Sequence, residues 1–265
     1  MKNILKKLII IFFIFSSFSL YAQKGYFIPN ALIEPSHTDA KQLSISVGVF
    51  RGLDLHSSYS INNHISVFGT AAVNKGSYNR RWMGDDEFKS HRNDHSFSLG
   101  VGYFKVNKNN LHFDNSVGFV FSKTDNFRRY YYSDFGLTGK PESGGYSSIH
   151  TNTNYWGAFY QISGVILLDK LEIGLASRFS YNRYTDFYLY SVNNPNHLSV
   201  EDFSIFSVEP VGIMSYNFNK YKLSAQGGLS LAPANPKNDI VFVNLIGRLS
   251  LQYSFDLGLK NKLNK

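Results

Sequence analysis

The side chains with the most evident chemical potential are grouped in one polar stretch of the first half of the chain. This stretch contains Asp85, Asp86, His91, Asp94 and His95. Carboxylates and imidazoles this close are potential ligands for a divalent cation, and an Asp/His pair can also act as the acid and base of a hydrolase. Catalytic groups need rigid support, whereas this stretch is Gly-containing and polar. We therefore interpret it first as a solvated, charged loop, with cation binding and hydrolysis as alternatives.

Motifs for several other chemistries do not occur in the sequence. It has no Gly-x-Ser-x-Gly elbow, no His-Glu-x-x-His zinc helix and no cysteine. The formal charge of +8 is not gathered into a basic cluster of a nucleic-acid-binding type. We therefore expect neither a cofactor nor a nucleic-acid partner.

The first residues have the pattern of a secretory signal peptide. Lys2, Lys6 and Lys7 precede the apolar stretch Leu8–Phe15, and small Ala22 suits the position before a cleavage site. The apolar stretch is shorter than the roughly 20 residues that a membrane helix needs. We predict a signal peptide at residues 1–22, whose removal takes away three bases and no acids and lowers the net charge to +5.

Beyond residue 40, apolar and polar residues alternate repeatedly with a period of two. Leu171, Ile173 and Leu175, for example, alternate with Glu172 and Gly174. This pattern indicates strands with one apolar and one polar face. We predict ten strands, at residues 42–50, 53–61, 65–74, 95–106, 111–124, 151–168, 171–190, 203–218, 221–231 and 240–256.

The connections between these strands are mostly short on one side and long on the other. Four short joins follow the second, fourth, sixth and eighth strands, whereas long joins occupy residues 75–94, 125–150, 191–202 and 232–239. This asymmetry is typical of outer-membrane barrels, with short periplasmic turns and long extracellular loops. Aromatic residues near the short turns, such as Tyr221 and Tyr253, suit an interfacial girdle.

These features predict an all-β fold, a transmembrane antiparallel up-and-down β-barrel of about ten strands in the bacterial outer membrane. An even strand count places both termini in the periplasm and the long loops outside the cell. The predicted divisions are the signal peptide, an extended periplasmic or plug segment at 23–41, the barrel at 42–256 and a basic tail at 257–265. A soluble β-sandwich also alternates, and it remains the alternative fold.

Charged residues on the predicted inward faces form a second group. Counted from the nearest short turn or chain end, Asp54, Arg178, Glu209 and Arg248 all lie about eight residues up the strands. Two acids and two bases at one depth would neutralise one another inside a narrow lumen. His56 and Glu172 lie lower on the same faces and extend this group. We interpret the group as a polar filling of the barrel, with a gated ion path as the alternative.

The N-terminal part of the mature chain resembles a known group of proteins. Tyr26–Asn30 (YFIPN), Pro35, the strand Leu43–Phe50, Gly52-Leu53-Asp54 and Ser58-Tyr59-Ser60 are similar to the opening of an uncharacterised family of Bacteroidota outer-membrane β-barrel proteins. The resemblance implies a barrel in that envelope. It supplies no catalytic residues.

Together these observations predict a non-enzymatic outer-membrane barrel with a largely filled lumen, acting as a structural or interaction protein of the envelope. Expected partners are outer-membrane lipid and lipopolysaccharide, the barrel-assembly machinery during insertion, and an envelope protein. A narrow pore for ions or small solutes is the second interpretation, and a barrel-borne hydrolase is the third.

Overall fold

A computed structural model describes most of the barrel region of the chain. The described residues are 32–34, 37–49, 52–82, 86–107, 110–135, 141–191, 199–200, 202–235 and 240–257. The predicted signal peptide and residues 258–265 lie outside them. Among the described residues, no helix has the length and apolar character that a membrane span requires.

The described residues form eleven strands, of which ten are long. They are β1 (Gln42–Val49), β2 (Leu53–Ser60), β3 (Ile65–Trp82), β4 (Asp86–Val106), β5 (Leu111–Phe135), β6 (Pro141–Leu168), β7 (Leu171–Ser191), β8 (Ser199–Val200), β9 (Phe203–Phe218), β10 (Tyr221–Asn235) and β11 (Ile240–Asp256). The two-residue β8 pairs with the end of β7.

The ten long strands close into an antiparallel up-and-down barrel, as predicted. Each pairs with its sequence neighbour, except that β7 pairs with β9 across the short β8. The ring is completed by β1 and β11, which pair from Gln42 opposite Asp256 to Val49 opposite Leu249. Because each of the ten long strands has two partners, the described barrel has no open sheet edge along these registers.

The short turns contain residues that tolerate a left-handed backbone. Asn110, Asp169 and Asn219 have φ angles of 58°, 58° and 60° at the joins after β4, β6 and β9. Asn and Asp adopt this conformation more readily than other non-glycine residues, which explains their place in these tight connections.

Two of the predicted long loops are mostly paired strand, and there the prediction was wrong. β3 and β4 remain in register from Asn74 opposite Asp94 up to Trp82 opposite Asp86. β5 and β6 likewise continue to Phe135 opposite Pro141. The pairing of these hairpins is carried by the backbone, whereas the period-two signal in sequence depends on one face being apolar. Polar hairpins therefore gave no such signal.

The side chains of the barrel are arranged with apolar groups outside and polar groups inside. Outward residues such as Leu99, Phe119 and Leu175 are 52%, 59% and 73% exposed. Inward residues are mainly Ser, Thr, Gln and charged residues, and many are fully buried. A soluble β-sandwich buries its apolar face, so this arrangement is the opposite of that alternative.

Aromatic rings mark the short-turn end of the outer surface, where they were predicted. Tyr216, Phe218, Tyr221, Tyr253 and Phe255 follow one another across β9, β10 and β11, with successive ring centroids 4.4 to 6.4 Å apart. Such a band suits the boundary between an apolar medium and water.

Candidate functional site in the barrel lumen

The lumen is occupied at mid-height by a piece of the chain's own N-terminal region. We call Leu32–Glu34 the luminal segment. Its three residues contact opposite walls of the barrel, from β6 on one side to β10 and β11 on the other. Since β1 begins at Gln42 at the short-turn end, the luminal segment lies inside the barrel above that end.

Two buried glutamines hold the backbone of the luminal segment. Gln226 on β10 accepts a hydrogen bond from the Leu32 amide at 3.1 Å and donates to the Leu32 carbonyl at 3.0 Å. Gln161 on β6 accepts from the Ile33 amide at 3.0 Å and donates to the Ile33 carbonyl at 2.6 Å. Each carboxamide thus satisfies both backbone groups of one residue, as a neighbouring strand would.

The side chain of Leu32 fills an apolar pocket in the otherwise polar lumen. It is fully buried, in a cluster with Ala176, Val211, Ile213 and Ile246 from β7, β9 and β11. Burying a leucine in this way contributes about 1.5–3 kcal/mol. The barrel wall therefore provides both an apolar pocket and matched backbone partners for one short peptide.

Glu34 completes an ion-pair network with the wall. Arg248 donates from Nη1 to Glu34 Oε1 at 2.9 Å and from Nε to Asp54 Oδ1 at 2.8 Å. Ser250 and Gln226 also donate to Glu34 Oε1, each at 3.0 Å. Arg248 is 3% exposed, so its charge needs these carboxylates to remain inside the barrel.

A glycine in β1, Gly48, leaves the space that this ion pair occupies. Gly48 lies so close to it that a Cβ on residue 48 would collide with Arg248 Nε and would lie 2.6 Å from Asp54 Oδ2. We expect Gly48→Ala to push the two side chains apart and to lower the free energy of unfolding by about 1–3 kcal/mol, as overpacking does.

Urea unfolding in lipid vesicles measures the effect of Gly48→Ala. Gly227→Ala is the matched control, because nothing lies within 4 Å of a Cβ added there. An equal change in both variants would contradict the proposed collision at Gly48.

A second buried ion pair spans β7 and β9. Arg178 and Glu209 are directly opposite in the strand register, and Arg178 Nε donates to Glu209 Oε2 at 2.5 Å. Ser207 and Ser230 donate to the other carboxylate oxygen at 3.3 and 3.1 Å. Glu209 is fully buried, and the guanidinium of Arg178 lies over the Phe159 ring, 5.7 Å from its centroid.

The lower lumen contains a third polar group near the short turns. Lys222 Nζ donates to Glu172 Oε2 at 3.0 Å, and Asn217 donates to Glu172 Oε1 at 2.7 Å. His37, which precedes β1, is 2% exposed and packs on the Phe104 ring at 5.7 Å between centroids. Among the residues that the structure describes, neither ring nitrogen of His37 has a hydrogen-bond partner.

The structure divides the charged residues singled out in the sequence into three groups. Arg248 pairs with Asp54, with His56 Nε2 3.5 Å from the same carboxylate oxygen. Arg178 pairs with Glu209, and Glu172 pairs with Lys222 lower down.

The sequence reasoning missed Glu34 of the luminal segment, the two glutamines that hold this segment, Gln161 and Gln226, and Lys222, the partner of Glu172. Gln161, Gln226 and Lys222 occupy inward positions of alternating strands, so the pattern could have marked them. Glu34 lies outside any strand pattern.

The residues of the possible loop cation site are separated by the alternation of β4. His91 and His95 point outward, and His95 Nε2 contacts Asn93 Oδ1 at 3.0 Å. Asp94 points inward, is 7% exposed and accepts from Asn74 at 3.0 Å. Asp86 begins β4, and Asp85 lies outside the described residues. Within the part of the chain that the structure describes, no three His, Asp or Glu residues are arranged to hold a metal ion.

A cavity of about 20 Å³ remains beside the luminal segment, between it and the wall formed by β1, β2 and β3. Glu34, Ser46, His56, Thr70 and Arg248 are among the residues that line it. This volume holds about one or two waters. The geometry of the lumen is thus that of a peptide-filled barrel with residual space for water.

Comparisons with known proteins identify similar solved structures but no family. No family model matches the chain, and no curated protein matches it. The crystal structure of the outer membrane protease OmpT from Escherichia coli is similar with a TM-score of 0.48 and 12% identity, over 82% of this chain and 94% of that chain.

Proposed function

We propose that the mature chain is a bacterial outer-membrane β-barrel, with the short turns and both termini on the periplasmic side. The support is the outward band of exposed apolar side chains, bounded by aromatic rings, around a polar interior. A contiguous apolar surface of this size would make a soluble protein aggregate, whereas it matches the hydrocarbon of a bilayer.

The membrane location predicts a depth-dependent cost of charge on the outer surface. Val117 on β5 is 48% exposed and lies six residues above Leu111, about 15 Å along the membrane normal for a tilted strand. We expect Val117→Arg to destabilise the barrel in phosphatidylcholine vesicles by about 2–4 kcal/mol. Leu111→Arg, at the short-turn rim, should cost about 0–1 kcal/mol.

Reversible urea unfolding in vesicles compares the two arginine variants. In a soluble protein, both positions are exposed to water and the two variants would behave alike. Equal stabilities would therefore count against the membrane location.

We further propose that the luminal segment closes the barrel, which then serves as a structural or interaction protein of the envelope. The observation that carries this proposal is the pair of glutamines, Gln161 and Gln226, that bind both backbone groups of successive residues. In this role the barrel contacts outer-membrane lipid and lipopolysaccharide, is inserted by the barrel-assembly machinery, and presents its extended hairpins to an envelope protein partner.

Thiol protection tests whether the luminal segment is docked. The chain has no cysteine, so Leu32→Cys introduces a single thiol at a fully buried position. Thr38→Cys places the matched thiol at an exposed position six residues later. In vesicles, we expect a water-soluble maleimide to label position 38 at least about a hundredfold faster, because docking hides position 32. Similar labelling rates would overturn the closure proposal.

His37 predicts a pH dependence of the docking. Burial, with smaller contributions from the nearby His112 and Lys222, lowers the pKa of His37 to about 4. Undocking returns the pKa of the ring towards its ordinary 6.5, so the undocked state gains protons first. Docking is therefore expected to weaken by about 3 kcal/mol as the pH falls from about 6.5 to 4.

The pH dependence is measured as the labelling rate of Leu32→Cys between pH 7.5 and 4.5. Adding His37→Phe removes two buried nitrogens that have no hydrogen-bond partner in the described part of the chain, and it should tighten docking at every pH. It should also remove most of the pH dependence. An unchanged pH profile in that variant would assign the effect to other groups.

A narrow pore is the second candidate function, and the cavity beside Glu34 and Arg248 is the observation that favours it. If the luminal segment is displaced, the ion pairs of the wall would line a water-filled path. Steady conductance of the unmodified protein would favour the pore over the closed barrel.

The proposal is non-enzymatic. A hydrolase would need its acid and base on one face of the barrel, whereas His91 and His95 lie outside and Asp94 inside. A hydrolytic activity of the unmodified protein that His95→Ala abolishes would support a barrel-borne hydrolase instead.

A further inference from the structure

The outer surface carries a distinct set of polar residues directly above the apolar belt. On five consecutive strands, β3 to β7, the outermost apolar residues of the described belt are Val73, Phe97, Phe121, Trp156 and Tyr181, each at least 42% exposed. On each strand, the next outward-facing residue towards the long hairpins is polar. In strand order, these residues are Lys75, His95, Lys123, Asn154 and Arg183. We call these five residues the collar.

The collar has one sign of charge. It contains two lysines, one arginine, one histidine and one asparagine, and no acid. Lys75 and Lys123 are exposed, and the strand register places His95 between them, opposite Lys123. Arg183, at the far edge, lies 3.6 Å from Asp202.

Two acids beside the collar each lie against a side chain other than the two lysines, Asp202 against Arg183 and Asp125 against His150. Asp125 is the next outward-facing residue after Lys123 on β5, and its carboxylate lies 2.8 Å from His150 Nε2. Within the described part of the chain, neither Lys75 nor Lys123 forms an ion pair, and both are exposed, so their charges are open to a partner from outside.

We propose that the collar binds the phosphate-bearing headgroup of a glycolipid in the outer leaflet. This inference rests on the proposed membrane location, which puts the collar at headgroup depth. Lysine ammonium groups are point-charge partners for phosphate, and their long stems let both reach one headgroup across two strand spacings of about 10 Å. The acyl chains of the same lipid would lie on Phe97, Phe121 and Trp156, so one molecule meets both surfaces.

Native mass spectrometry and vesicle binding test the collar with lipid A as the probe. The mature protein is compared with Lys75→Gln/Lys123→Gln, which removes the two charges without changing exposed shape. Lys105→Gln/Lys170→Gln is the matched control, since these exposed lysines lie at the short-turn end. Each cation at an anionic surface raises the binding constant about fivefold. We therefore expect the collar variant, which lacks two cations, to bind lipid A about twenty- to thirtyfold more weakly. The control should bind as the unmodified protein does.

The chemistry of the headgroup is tested by two further arms. Lipid A without its two phosphates should bind the unmodified protein as weakly as intact lipid A binds the collar variant. Millimolar inorganic phosphate should not displace lipid A, because it lacks the acyl chains. Equal binding of phosphorylated and dephosphorylated lipid A, or equal losses in collar and control variants, would overturn the proposal.

Insertion is measured first in the same samples, by protection of the barrel from protease in phosphatidylcholine vesicles. A chain that fails to insert contradicts the membrane location itself. A chain that inserts but does not distinguish the two lipids contradicts the collar alone.

Discussion

Leu32→Asp is expected to release the luminal segment from the barrel wall. Removing the leucine side chain from its apolar pocket costs about 2–5 kcal/mol, and the aspartate would bury a charge beside Val211, Ile213 and Ile246 without a partner. Together, these two free-energy costs exceed the stabilisation that the hydrogen bonds of the two glutamines to the backbone contribute. We expect the docked population to fall by more than about a hundredfold.

The release is measured with a thiol at residue 33, Ile33→Cys, in chains with and without Leu32→Asp. Leu32→Met is the matched control, because it preserves volume and apolar character. Faster labelling with Asp but not with Met is the expected result. If Asp leaves the labelling rate unchanged, the pocket does not hold the segment.

Glu209→Ala is expected to be the most destabilising single change in the wall. It removes the carboxylate to which the buried Arg178 guanidinium donates, and loss of one member of a buried ion pair costs about 3–5 kcal/mol. The hydroxyls of Ser207 and Ser230 would lose their acceptor as well. The urea midpoint of the vesicle-inserted barrel should fall accordingly.

The control for Glu209→Ala is the double variant Arg178→Met/Glu209→Met. Removing both charges together leaves no buried ion, so most of the stability should return even though the Phe159 contact is lost. A double variant as unstable as Glu209→Ala would show that the ion pair itself, rather than the unmatched charge, carries the stability.

The barrel could be predicted from sequence because its outer surface imposes a regular rule. Every second residue of the belt must be apolar, and Asn or Asp marks the tight turns, as at Asn110, Asp169 and Asn219. The polar hairpins above the belt obey no such rule. Their pairing, from Asn74 opposite Asp94 upwards, is therefore visible only in the structure.

The lumen could be predicted only in part. Counting along the strands predicts a common depth for Asp54, Arg178, Glu209 and Arg248, and the structure pairs Arg248 with Asp54 and Arg178 with Glu209. Which acid pairs with which base depends on the barrel's closure and on Gly48, which makes room for Arg248 beside Asp54. The docking of Glu34 could not be counted in this way, because the luminal segment has no periodic pattern and its partners lie more than a hundred residues away.

Planar-bilayer conductance of the refolded mature protein, measured beside its Leu32→Asp variant, tests whether the luminal segment closes the barrel. If the luminal segment closes the barrel, the unmodified protein is silent and the variant conducts steadily. The claim would be contradicted if the unmodified protein conducted as well as the variant. It would equally be contradicted if both stayed silent while labelling at residue 33 showed the segment released.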